Sequence, residues 1–199
     1  MTQDLFFRLF VAVALVYGFT MTSVFRARAT KADVKSQKKV EGSRILTFFR
    51  LVFLLGLLAL FGTYIFMPKT NAWAFISLPS WLRWVGVAIG IGVFPLEYWV
   101  LSSLGKNISP SAFARKEAHL VTKGPYRFIR HPLYFTGFMG FGSLFLVSQL
   151  WILGFLVACV LPVFLMIRIP REEKELAKKF GASYEAYIKK TKRLIPFIW

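Results

Sequence analysis

Five apolar runs divide the chain: Leu5–Val24, Ile45–Met67, Trp81–Ser103, Leu133–Gln149 and Trp151–Ile169. A bilayer core of roughly 30 Å takes about 20 apolar residues in a helix, so each run predicts a membrane span. The fourth is short and almost abuts the fifth, which predicts a tight helical hairpin. The period-two alternation of a membrane strand is absent. Backbone groups in lipid must be paired within their own segment, which leaves helices. The expected fold is an all-α integral membrane protein with five transmembrane helices. Beyond the fifth run, Leu176, Phe180, Tyr184, Tyr187 and Ile188 recur at helical spacing within Arg171–Thr191. Gly181 predicts a break in that amphipathic helix. Its lysine-rich face suits an anionic lipid surface, the cover of a cytoplasmic site, or plain solvent.

Composition agrees with the pattern. Hydrophobic residues make up 56% of 199, and mean hydropathy is +0.56. The net charge of +17 raises the question of nucleic acid, but its distribution answers otherwise. Arg26, Arg28, Lys31, Lys35, Lys38, Lys39 and Arg44 lie between runs one and two. Lys106, Arg115, Lys116, Lys123, Arg127 and Arg130 lie between runs three and four, and eight more basic residues follow run five. The other connections hold only Lys69 and Arg83. This alternation is the positive-inside rule. It predicts an N-terminus outside and a C-terminus in the cytoplasm. It also accounts for the charge without nucleic acid. The basic cluster after run one opposes its translocation, so run one reads as a retained helix despite the Ala27-Arg28-Ala29 triplet. Cys159 is the only cysteine, which leaves no disulfide within the chain.

The connections divide the chemistry unevenly. Residues 1–104 read as a membrane scaffold of three helices. Residues 105–199 carry nearly all the chemically capable side chains and read as the catalytic region. One exception is Glu97, which lies at membrane depth beside Pro95; such a residue is either functional or paired with an interfacial base. Three clusters fall at one membrane face: Leu104–Ser109, Ala118–Tyr126 running into Arg130–Tyr134, and Arg168–Glu173. Gly124-Pro125 signals a turn, and Pro132 suits the first turn of a helix whose free N–H groups favour an anion. Tyr126, Phe128 and Tyr134 can stack on a purine or line an apolar channel. Glu172 and Glu173 can accept hydrogen bonds from a ribose or an ammonium group. The bland alternatives are an interfacial anchor and salt bridges to nearby lysines. The two histidines, His119 and His131, have no matching ligand set, so no metal is expected. No Ser-His-Asp or Cys-His set and no glycine-rich dinucleotide fingerprint is visible.

The ordered motifs Leu120-Val121, Gly124-Pro125-Tyr126, Arg130-His131-Pro132-Leu133-Tyr134, Arg168 with Glu172-Glu173, Phe180-Gly181, Tyr184 and Arg193-Leu194 with Pro196 resemble the isoprenylcysteine carboxyl methyltransferase family. The resemblance runs from about Leu104 to Trp199, and the compact five-span prokaryotic members look most similar, which implies a prokaryotic inner membrane as the location. It implies an S-adenosylmethionine-dependent membrane methyltransferase, with S-adenosylhomocysteine as product. The cofactor site would be cytoplasmic, built from the loop before span four and the C-terminal helix. Carried over by position, cofactor contacts would be Ala118, His119, Leu120, Val121, Tyr126, His131, Pro132, Leu133, Tyr134, Glu172 and Glu173. Arg168 would hold the carboxylate of a lipid-like acceptor entering from the bilayer, most simply an isoprenylcysteine. The chain departs from the family twice. Ala118 stands where a histidine is common, with His119 one position later. Ser148-Gln149-Leu150 replaces the Asn-Pro step found in eukaryotic members. Phospholipid N-methylation and thiol S-methylation are the alternatives within the superfamily. An NADPH-dependent sterol-reductase-like enzyme and a non-enzymatic basic scaffold on membrane lipids are the alternatives outside it.

Overall fold

The computed structural model describes residues 2–31, 44–107 and 119–195. Among these the chain is helical, with no strand longer than an isolated bridge. The helices are α1 (Thr2–Lys31), α2 (Arg44–Phe66), α3 (Ser80–Leu104), α4 (Pro132–Ser148), α5 (Trp151–Phe180) and α6 (Ala182–Lys190). Among the described residues, Gln3–Ala29, Ser80–Leu104 and Trp151–Phe180 are long and apolar enough to cross a membrane. Leu51–Phe66 and α4 are apolar but shorter. At 1.5 Å per residue, the 17 residues of α4 extend about 25 Å, just under a bilayer core.

Packing is tightest between α3 and α4, and glycine makes it possible. A Cβ on Gly86 would lie 2.8 Å from Leu146 Cβ and 2.9 Å from Val147 Cγ2. One turn on, a Cβ on Gly90 would meet Ser143 Oγ at 2.7 Å. The close approach lets the Ser143 hydroxyl donate to the Gly86 carbonyl at 2.7 Å. Small residues four apart serve the same end in other membrane helix pairs, where no aqueous hydrophobic effect drives association.

α4 begins with Pro132 at its first position, where the missing N–H costs nothing. It ends at Gln149, which takes a left-handed conformation (φ 59°). Leu150 alone then leads into α5. Gln149 Nε2 donates to the Leu78 carbonyl, and Ile76 N–H donates to the Gln149 carbonyl, so the α2–α3 connection is tied over this turn. The largest core cluster lies at this end and includes Phe7, Val11, Phe61, Tyr64, Val87, Val147 and Leu153. The opposite end of α4 is left for polar groups.

α5 differs from the sequence reading in one respect. A span ending at Ile169 and a separate amphipathic helix from Arg171 were expected. The helix instead runs on through Pro170 to Phe180 and ends at Gly181 (φ 50°), as the glycine predicts. Its apolar half contains a π-helical turn at Leu156–Val160, just before Pro162. Such a bulge absorbs the hydrogen bond a proline cannot make. One rigid helix therefore carries the apolar run and the charged cluster together.

Candidate functional site

The periodicity of α5 sorts its side chains into two stripes. Arg168, Glu172, Leu176 and Phe180 are spaced by four and line a cavity of ≈ 210 Å³. Leu165, Ile169 and Glu173, also spaced by four, are buried on the neighbouring face. The start of α4 supplies His131, Leu133 and Tyr134 to the cavity, and α6 supplies Tyr184 and Tyr187. His119, Leu120, Val121, Tyr126 and Arg130 come from the segment before α4. Thr22 and Arg26 of α1, with Leu101 and Leu104 of α3, form the remaining wall, and Asn107 follows α3. Asn107 Oδ1 accepts the His119 N–H at 3.0 Å, which joins the first expected cluster to the second.

Two polar systems stand side by side. On the cavity wall, Tyr134 Oη donates to Glu172 Oε2 at 2.7 Å, and Arg168 Nε donates to Tyr134 Oη at 3.3 Å. The tyrosine thus links a guanidinium to a carboxylate one helical turn away. His131 stacks on Tyr134, with ring centroids 5.7 Å apart. Behind the wall, Glu173 receives Arg130 Nε at 2.8 Å and Arg193 Nε at 3.0 Å, one guanidinium on each carboxylate oxygen. His131 Nε2 lies 3.5 Å from Glu173 Oε1. Arg130 also donates to the carbonyls of Ile188 and Thr191 at the end of α6, where a cation offsets the helix dipole. Backbone bonds reinforce this seam: Arg130 N–H to Lys192 O at 2.8 Å and His131 N–H to Arg193 O at 3.0 Å. The segment before α4 is thereby clamped to the segment after α6.

The tyrosines of α6 are treated differently by the fold. Tyr187 Oη donates to the Tyr126 carbonyl at 2.6 Å, deep in the structure. Tyr184 is 1% exposed, and its hydroxyl has no hydrogen-bond partner among the described residues. Burial pushes the phenols of Tyr126, Tyr184 and Tyr187 well above their ordinary pKa of 10.0, so all three stay neutral and able to donate.

The residues singled out in the sequence fall into three groups. His119, Leu120, Val121, Tyr126, His131, Leu133, Tyr134, Arg168 and Glu172 meet around the cavity. Pro132 is buried at the head of α4, and Glu173 lies in the ion-pair network rather than on the wall. Ala118 and Pro196 lie outside the described residues. Sequence reasoning did not select Thr22, Arg26 or Leu101, which only tertiary packing brings here, whereas Leu104 belongs to the first expected cluster. Leu176, Phe180, Tyr184 and Tyr187 were visible as an apolar face of the C-terminal helix that the resemblance implies in the site, without being named as contacts. Glu97 is half-buried in α3 and is not among the residues that line the cavity. Among the described residues no group of three or more His, Cys, Asp or Glu could hold a metal.

Comparison with known proteins places this arrangement. The profile of the isoprenylcysteine carboxyl methyltransferase (ICMT) family matches residues 86–178. The uncharacterized protein YpbQ of Bacillus subtilis is 28% identical over 172 residues, which is 85% of this chain and 96% of that one. The protein-S-isoprenylcysteine O-methyltransferase of Schizosaccharomyces pombe is 39% identical over 84 residues, 42% of this chain and 35% of that one. The methanethiol S-methyltransferase of Crocosphaera subtropica is 35% identical over 74 residues, 37% of this chain and 28% of that one. The chain thus aligns with about a third of each named methyltransferase. The structure of the eukaryotic intramembrane Ras methyltransferase ICMT superposes with a TM-score of 0.56 at 22% identity, covering 92% of this chain and 65% of that one. That likeness extends the shared fold beyond the profile match. The chain thus shares the fold of that intramembrane methyltransferase. Over residues 86–178 the chain is similar to the ICMT family.

Proposed function

We propose that the protein transfers a methyl group from S-adenosylmethionine to the carboxylate of an isoprenylcysteine-like lipid. The observation that carries this reading is a single stripe of α5 that presents Arg168 and Glu172 to one cavity, joined through Tyr134. The cavity suits a nucleoside: aromatic rings for a purine and a carboxylate for ribose or ammonium. His119, Leu120, Val121, Tyr126, His131, Leu133, Tyr134 and Glu172 would hold the cofactor, with Ala118 and Pro132 adjoining. Glu173 would support them by fixing Arg130 and His131. When bound, S-adenosylmethionine supplies a methyl group activated on a sulfonium.

Arg168 would then place and neutralise the acceptor carboxylate as it leaves water, with a forked geometry that lysine lacks. An ionised carboxylate needs no general base, so the residues chiefly orient the acceptor and exclude water. His131 serves as a binding group rather than a proton acceptor. The acceptor's lipid tail would enter between helices from the bilayer. This reading includes five membrane spans, the last two a tight hairpin, with the N-terminus outside and the site cytoplasmic. Residues 1–104 act as scaffold and 105–199 as the catalytic region, although α1 and α3 contribute a wall.

The test is calorimetry of S-adenosylhomocysteine binding to the detergent-purified protein, followed by labelled methyl transfer to farnesylcysteine. Micromolar binding and a labelled ester are expected; a folded sample that binds nothing at high micromolar concentration refutes the reading. Thiol methylation is the second reading, favoured by the methanethiol S-methyltransferase relative. It predicts a labelled thioether and an activity insensitive to Arg168→Lys.

A further inference from the structure

Three guanidiniums line the cavity among the described residues: Arg26, Arg130 and Arg168. Two of them are engaged. Glu173 neutralises Arg130, and Arg168 donates to Tyr134 Oη, which itself donates to Glu172. Arg26 has no ion pair or hydrogen bond among the described residues. Its direction is set by its neighbours on α1. Phe25 and Ala29, four apart, are buried and pack with Leu101 of α3. The adjacent stripe of α1, Thr22 and Arg26, also four apart, is thereby turned to the cavity. Arg28, two residues on, stacks over Phe25 and is not on the cavity wall. Arg26 lies outside residues 86–178, so the family match assigns it nothing.

The reaction proposed above brings two carboxylates into this cavity, one on the acceptor and one on the amino-acid tail of the cofactor. Arg168 and Arg26 differ in their access. Arg168 is half-buried within the last apolar run, where a lipid-borne acceptor arrives. Arg26 is exposed, two residues past the apolar run Leu5–Val24, where a solute arrives from water. Glu172 repels a carboxylate and attracts the ammonium of the same tail. With Arg130 neutralised and Arg168 given to the acceptor, Arg26 is the lining guanidinium left for the second carboxylate.

Resting on the cofactor reading above, we infer that Arg26 is a further cofactor-binding residue: its guanidinium pairs with the carboxylate on the amino-acid tail of the bound cofactor.

The experiment is calorimetry on the full-length protein in detergent, with S-adenosylhomocysteine and its decarboxylated analogue, whose tail ends in the amine alone. Arg26→Gln is expected to weaken S-adenosylhomocysteine about fivefold, as for a charge pair open to water on one side. The decarboxylated analogue should bind wild type and variant alike, since the group that Arg26 reads is gone. Arg26→Lys, which keeps the charge and loses the fork, should recover part of the affinity. Arg28→Gln should bind as wild type does. The Michaelis constant for farnesylcysteine at saturating cofactor should not change in Arg26→Gln. Wild-type affinity in Arg26→Gln overturns the inference alone. So does an equal loss for both ligands, or an equal loss in Arg28→Gln, which would indicate the general field of the basic surface. A change confined to the farnesylcysteine Michaelis constant also overturns it and moves Arg26 to the acceptor. No binding by wild type overturns the cofactor reading and this inference with it.

Discussion

Glu172 and Glu173 are adjacent in sequence and separated in role. Successive residues on a helix point about 100° apart. Glu172 reaches the cavity and accepts from Tyr134; Glu173 reaches a buried network with two guanidiniums. Their substitutions should therefore part. Glu172→Gln should weaken S-adenosylhomocysteine about tenfold with little change in melting temperature; unchanged affinity would discard the assignment. Glu173→Gln leaves Arg130, 8% exposed at its side chain, without its counter-charge. A loss of about 3 kcal/mol in stability is expected, since one partner of a buried pair is removed. Chemical denaturation in detergent checks it, and a wild-type midpoint would refute it. For Arg168→Lys, turnover should fall more than cofactor affinity, because the lysine keeps the charge and loses the fork. Steady-state kinetics beside calorimetry separate the two; wild-type turnover removes Arg168 from acceptor binding.

Among the elements, the α3–α4 pair sets the frame on which the cavity is built. Gly86→Leu forces a side chain into space already held by Leu146 and Val147. Overpacking of this kind costs about 1–3 kcal/mol, so the melting temperature should drop by several degrees. An unchanged melt would show that the helices can separate without penalty. α6 makes a different prediction. Its tyrosines and Tyr126 have phenols raised above 10.0 in the folded state. On unfolding they ionise at about pH 10, so the folded state binds more protons above that pH and stability falls as pH rises. Melts between pH 8 and 11 should decline above about pH 10, and Tyr187→Phe should shallow the decline; an equal slope in the variant would exclude the tyrosines as its source.

At the scale of the molecule, much was legible along the chain. Helical class follows from run length, because lipid forbids unpaired backbone. Gly181 ends α5 as expected, since only glycine takes its conformation cheaply. The spacing of Arg168 and Glu172 already places them on one face, and the motif order before α4 already points to the chemistry. Less was legible where partners come from far away. The apolar run ends at Ile169, yet α5 continues through Pro170 and carries Arg168 and Glu172 on one rigid rod. Thr22 and Arg26 carry no local mark of a site and reach it only because α1 packs beside α3. By itself the sequence determined the apolar helices, their charge bias and the periodic stripes, because these depend on local geometry and on solvent. Tertiary structure alone decided which glutamate meets the cavity and which meets the arginines. It also decided that the Tyr187 hydroxyl meets the Tyr126 carbonyl while the Tyr184 hydroxyl has no partner among the described residues. A hydrogen bond or ion pair needs two groups within about 3 Å, and chain order does not specify which distant groups will meet.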